Sequence, residues 1–247
     1  MTYIALIAIG FLIGLLVLST GGGGGALYLG VLTGLFHLSA PVAAATSLFT
    51  AFPSLVVGAI GHYRSGNVRF KIGNRMIITA IPATIIGSLL SPYIPKIIYT
   101  WIIAIVLIAL GLQIFIQLFF PSKNIKKSKY DNLKASIFGI VSGLMVGIAG
   151  LSGGAPILAG LLLLNLDMVR AVATSSYVLV GTSVIGLIFH LNGNIDWSIG
   201  ISLMIGAVIG AFLAPKLLSK VNPVKFNTYV KPIIAVLIVF LGLKMII

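Results

Sequence analysis

The chain has no cysteine, no glutamate and only 8% charged residues. Each shortage closes a class of function. Without cysteine there is no disulfide, no thiolate nucleophile and no cysteine metal ligand. Soluble domains carry about a quarter charged residues, so a chain this poor in charge, at 59% hydrophobic, is not built for water. Its three acids are Asp131, Asp167 and Asp196, all expected in loops. A buried carboxylate is the usual proton or sodium site of a membrane transporter. Its absence argues against a cation cargo and against a carboxylate proton relay.

What the chain does have is long apolar runs, such as 97–120 and 169–189. Each is near the roughly 20 residues that cross a bilayer as a helix. The fold class expected is an all-α polytopic membrane protein. A β-barrel is excluded because its strands would be about 10 residues long and alternate apolar with polar. The start, 1–20, is apolar without a basic leader or an obvious cleavage site, and reads as the first membrane segment. The net charge of +13 would suggest nucleic acid in a soluble protein. Here it fits basic loops facing the anionic cytoplasmic leaflet, and no nucleic-acid partner is expected.

The chain also repeats itself. Gly21 to Gly25, Ala45-Thr46-Ser47 and His62 are matched 128 residues later by Ala149 to Gly153, Ala173-Thr174-Ser175 and His190. His37 falls opposite Asn165. Gly66-Asn67-Val68 matches Gly193-Asn194-Ile195 after one deleted residue, and Gly87 and Pro92 match Gly210 and Pro215 after four more. A fixed period of this kind marks a duplicated unit. The division expected is a first membrane repeat over 1–120, a basic linker over 121–133 and a second membrane repeat over 134–247. Each half reads as five segments: 2–20, 26–38, 41–62, 73–92 and 97–120, then 134–149, 155–165, 168–190, 198–218 and 229–247. Pro53 and Pro82 fall inside segments, as membrane helices tolerate.

Loop charge orients these segments. Loop 63–75, the linker and loop 215–228 are basic, whereas loop 191–197 has no Lys or Arg and carries Asp196. The first three are therefore expected in the cytoplasm and the last outside. The turns after His62 and His190 then lie on opposite faces, so the two repeats are inverted and both termini are external. Lys244, near the external end, is a mild exception.

The second segment of each half is too short to span. At about 1.5 Å per residue, 155–165 reaches half the hydrocarbon depth. A short helix that opens at a glycine break is a discontinuous membrane helix. Its free N–H groups and its dipole attract anions. Exposed backbone survives in hydrocarbon only inside protein or beside a wet cavity. Gly22, Gly23, Gly24 and Gly25 in one half, and Gly150, Ser152, Gly153 and Gly154 in the other, are thus candidate substrate-binding residues. Thr46, Ser47, Thr174 and Ser175 join them as uncharged donors suited to a dehydrated anion. For the hydroxyls the plainer alternative is bonding to helix carbonyls. His62 and His190 are candidate proton-coupling groups, set against the plainer reading of interfacial histidines capping helix ends. Arg170 beside Asp167 could attract an anion at an external mouth; the plainer reading is a local ion pair or snorkelling at the interface. No metal or cofactor is expected.

Gly150-Leu151-Ser152-Gly153 also fits the G-x-S-G pattern of intramembrane serine proteases, with His190 as base. The matching residue in the first half is Gly24, which favours a structural role. The chain resembles the sulfite exporter TauE/SafE family. The resemblance rests on Gly21 to Gly25, Ala45-Thr46-Ser47-Leu48, His62 to Val68, Gly150 to Pro156, Ala173-Thr174-Ser175 and Gly193 to Trp197. It departs in having Tyr28 where the second half has Pro156. The resemblance implies a transporter, not an enzyme. It would move sulfur-containing anions such as sulfite, sulfoacetate or related organosulfonates outward, with no cofactor. The expected function is secondary transport of such an anion between the two repeats near the midplane. The partners are that small anion and membrane lipid, oligomeric state is left open, and an anion channel is the alternative.

Overall fold

The computed structural model describes residues 2–20, 24–119, 131–164, 166–191, 195–218 and 231–244. Gly22 and Gly23, most of the linker, Gly193 and Asn194 lie outside them. The order is α1 (Thr2–Thr20), α2 (Gly25–Gly34), α3 (Ala40–Arg64), α4 (Phe70–Leu90), α5 (Lys96–Phe119), α6 (Asp131–Ala149), α7 (Gly154–Leu163), α8 (Met168–His190), α9 (Trp197–Leu218) and α10 (Lys231–Lys244). A 3₁₀ turn, Ser91–Tyr93, follows α4. The described residues form no strand. Five helices among them, including Ala40–Arg64 and Met168–His190, are long and apolar enough to cross a bilayer. The chain is an all-α polytopic membrane protein.

The ends of the helices have local causes. Asp167 accepts from the Arg170 backbone N–H at 3.0 Å and caps α8. Asp196 does the same for Ile199 at the start of α9. Asp131, expected in a loop, stands in the first turn of α6 and pairs with Lys134 at 3.9 Å. A carboxylate suits each place because the start of a helix is its positive end. Pro53 and Pro82 lie inside α3 and α4 as expected.

Helices in lipid gain no hydrophobic attraction for one another, so close backbone packing through small residues holds them together. Two seams do this here. In the first, α1 lies along α9: a Cβ at Gly10 would overlap the Leu203 carbonyl, and one at Gly14 the Ala207 carbonyl. In the second, α6 lies along α4: Gly139 abuts Met76, Gly143 abuts Ala80 and Gly147 abuts Thr84. Residue numbers rise together in both seams, so each pair is parallel. Between the seams α3 packs on α8, with Leu48 against Gly186, and α5 packs on α10.

These contacts correct the register read from the sequence. Met76 and Ala80 hold the places in one seam that Leu203 and Ala207 hold in the other, 127 residues on. Gly210 therefore stands opposite Ala83, not opposite Gly87. The short helices begin at Gly25 and Gly154, which puts Gly24 opposite Gly153 and Tyr28 opposite Ile157. The turn after α2 runs over 35–39 and the turn after α7 over 164–167, and that extra residue returns the offset to 128 at Thr46 and Thr174. His37, in the longer turn, takes a left-handed backbone with φ 52°.

Candidate functional site

The two glycine breaks turn in the same way. Gly24 (φ 66°) and Gly153 (φ 67°) are left-handed caps of α2 and α7, and Gly150 (φ 63°) adds a second left-handed step before α7. An L-residue pays about 1–2 kcal/mol for that conformation, and glycine does not. Space excludes a side chain as well. A Cβ at Gly24 would run into Val17, one at Gly153 into Ser142, and one at Gly150 into Ala44. Gly24, Gly25 and the stretch from Gly150 to Gly154 are all buried.

The breaks touch. The Gly25 N–H donates to the Ser152 hydroxyl at 3.1 Å. A Cβ at Gly25 would overlap the Ser152 backbone nitrogen. The N-terminus of α2 therefore abuts the loop that opens α7, and the positive ends of two helices meet inside the bundle.

Hydroxyls hold this junction in place. Ser47 of α3 donates to the Gly150 carbonyl at 2.8 Å and lies 2.9 Å from the carbonyl of Ala44. Ser142 of α6 donates to the Gly153 carbonyl at 2.8 Å. The sequence pointed to Ser47, and it missed Ser142, which is visible only once α7 is folded back along α6. Ser175 is fully buried on α8.

Thr46 and Thr174 sit at helix starts in the opposite half. Thr46 Oγ1 accepts from the Asp196 N–H at 3.1 Å, just before α9. Thr174 Oγ1 accepts from the Arg69 N–H at 3.0 Å, just before α4. Each supplies an acceptor to a backbone donor at a helix start that the helix itself cannot satisfy. An aromatic pair stands beside each: Phe49 on Trp197 at 5.1 Å, and Tyr177 on Phe70 at 5.2 Å, both edge to face.

The histidines differ from one another. His190 is buried and its Nε2 lies 2.8 Å from the Gly147 carbonyl. His62, partly exposed at the end of α3, has a buried Nε2 without a hydrogen-bond partner. Ser152 takes the Gly25 N–H while His190 Nε2 faces Gly147, so these contacts do not build a serine–histidine pair. Arg170 and Asp167 form the local pair expected, at 3.3 Å.

The junction brings together buried glycine backbone, small hydroxyls and the N-termini of two short helices. Comparison with known proteins gives the family. The family model described as "Sulfite exporter TauE/SafE" matches residues 6–245. A protein of Bacillus subtilis (strain 168) named a probable membrane transporter is 31% identical over 217 residues, covering 85% of this chain and 88% of that one. A second probable membrane transporter, from Methanocaldococcus jannaschii, is 29% identical over 240 residues, covering 92% of this chain and 87% of its own. The chain therefore belongs to the sulfite exporter TauE/SafE family, and it is a multi-pass membrane transporter, not an enzyme.

Proposed function

We propose that the protein is a secondary transporter that exports a small sulfur-containing anion, such as sulfite or an organosulfonate. The anion is held between two inverted repeats near the bilayer midplane. The observation that carries this reading is the meeting of the two left-handed glycine breaks, Gly25 against Ser152, with helix N-termini behind them. Each N-terminus acts as roughly half a positive charge, so an anion is attracted without a buried cation. The family description supports the sulfur chemistry.

The packing supports inversion. α1 is parallel to α9 and α4 to α6, while α3 and α4 are joined by a short turn over 65–69 and run in opposite senses. Thr46 beside Asp196 sets the start of α3 at the start of α9. Corresponding helices of the two halves then point in opposite directions, which is the arrangement that lets one site open alternately to each face. Gly24, Gly25, Ser152 and Gly153 are buried, as are Thr46, Ser47, Thr174 and Ser175. Burial of these residues favours a transporter that occludes its site over an open channel. His62 and His190 remain the candidates for proton coupling.

The test is flux. Purified protein in liposomes should take up radiolabelled sulfite, thiosulfate or sulfoacetate saturably. Absence of flux for all three, in both membrane orientations and under pH gradients of either sign, would sink the reading. Single-channel currents would replace it with the channel.

A further inference from the structure

One polar group at the glycine junction is left without a partner. Tyr28 stands in α2 four residues after the Gly24 cap and is 0% exposed, yet its hydroxyl makes no hydrogen bond. Helical side chains lean back toward the N-terminus. The Tyr28 ring does so: its Cε2 would lie 3.2 Å from a Cβ placed on Gly24. The ring thus lies alongside the break. The polar side chain beside its hydroxyl is Ser54 of α3. Ser54 gives its own proton to the Ala51 carbonyl at 2.8 Å; its oxygen stands near the Tyr28 hydroxyl but outside hydrogen-bond geometry, which leaves the hydroxyl unsatisfied.

A buried, unpaired hydroxyl costs about 1–3 kcal/mol, and its presence calls for an explanation. Packing does not supply one. The corresponding place in the second half, four residues after Gly153, is Ile157, which is fully buried and has no polar atom. An apolar side chain therefore fills that position in this architecture. The hydroxyl is what Tyr28 adds.

We propose that the Tyr28 hydroxyl is a substrate-binding donor that hydrogen-bonds the anion held at the glycine junction. The inference rests on the anion-transport reading above. It makes the site unequal at its two ends: the α2 end carries a side-chain donor that the α7 end lacks. Binding of the anion satisfies the hydroxyl.

Tyr28→Phe removes that hydroxyl and little else. Uptake of whichever sulfur anion the wild type carries should then show KM raised about tenfold or more, as expected for loss of a hydrogen bond to a charged group. Thermal stability in detergent should be equal or higher, since an unsatisfied polar group has gone. An unaltered KM overturns the proposal. A second readout needs no variant: sulfite added to the wild type should shift the ultraviolet difference spectrum of a tyrosine. No tyrosine signal in a protein that transports sulfite overturns the proposal too. A wild type inert to every sulfur anion instead brings down the transport reading, and this inference with it.

Discussion

At the scale of the residue, the junction depends on two positions that tolerate substitution differently. Ser152 supplies one acceptor, to the Gly25 N–H. Ser152→Ala leaves that buried donor without its partner, and the expected loss is about 1–3 kcal/mol of stability. Gly25→Ala is expected to be worse, because its methyl meets the Ser152 backbone, which cannot swing aside as a flexible side chain does. Denaturation of the two variants in detergent gives the ranking, and a Gly25→Ala protein as stable and active as wild type would dismiss the contact between the breaks. The glycines themselves were legible in the sequence, since a run of them beside a short apolar segment has few other uses. The partners of the hydroxyls were not. Ser47 reaches Gly150 and Thr46 reaches Asp196 across 103 and 150 residues, and no local pattern reports such distances. Tyr28 was visible only as a departure from the second half, and its unpaired hydroxyl appears only with the fold.

At the scale of the element, the helices were readable because lipid imposes a length on them. The starts of α3 and α8 fell within a residue of expectation, Ala40 and Met168 against 41 and 168. Register was harder. One extra residue in the turn after α2 moves every alignment upstream of it, and turn length leaves no apolar signature. The seams explain why glycine is so frequent: 29 residues of the chain are glycine, and Gly10, Gly14, Gly139, Gly143, Gly147, Gly206 and Gly210 abut backbone carbonyls across them. Gly143→Val should therefore push α6 off Ala80 of α4 and abolish recovery of monodisperse protein. Gly61→Ala, at a helical glycine with nothing within 4 Å, should be neutral or gain about 0.5–1 kcal/mol. Size-exclusion profiles of the pair test this. Equal recovery would mean that the seam glycines are incidental.

At the scale of the whole molecule, Lys244 gains an explanation that loop charge alone did not give. Its ammonium donates to the Gly34 carbonyl at the end of α2. A cation there satisfies the negative end of a helix dipole, so its charge serves an element inside the bundle and tells little about which side of the membrane it faces. That leaves the inverted arrangement to be tested from the turns, and the absence of cysteine makes the test clean. Ser65 follows α3 and Ser198 stands in the first turn of α9, and both are exposed. Parallel packing of α3 with α9 puts the end of α3 and the start of α9 at opposite ends of the bundle. Single variants Ser65→Cys and Ser198→Cys each give the chain one thiol. A membrane-impermeant maleimide applied to intact cells should label Ser198→Cys and spare Ser65→Cys, because loop 63–75 carries Arg64, Arg69, Lys71 and Arg75 and belongs in the cytoplasm. Inside-out vesicles should reverse the pattern. Labelling of both from one side would break the inversion, and with it the alternating exposure of a shared site. Labelling of Ser65→Cys alone from outside would keep the inversion and turn the molecule over.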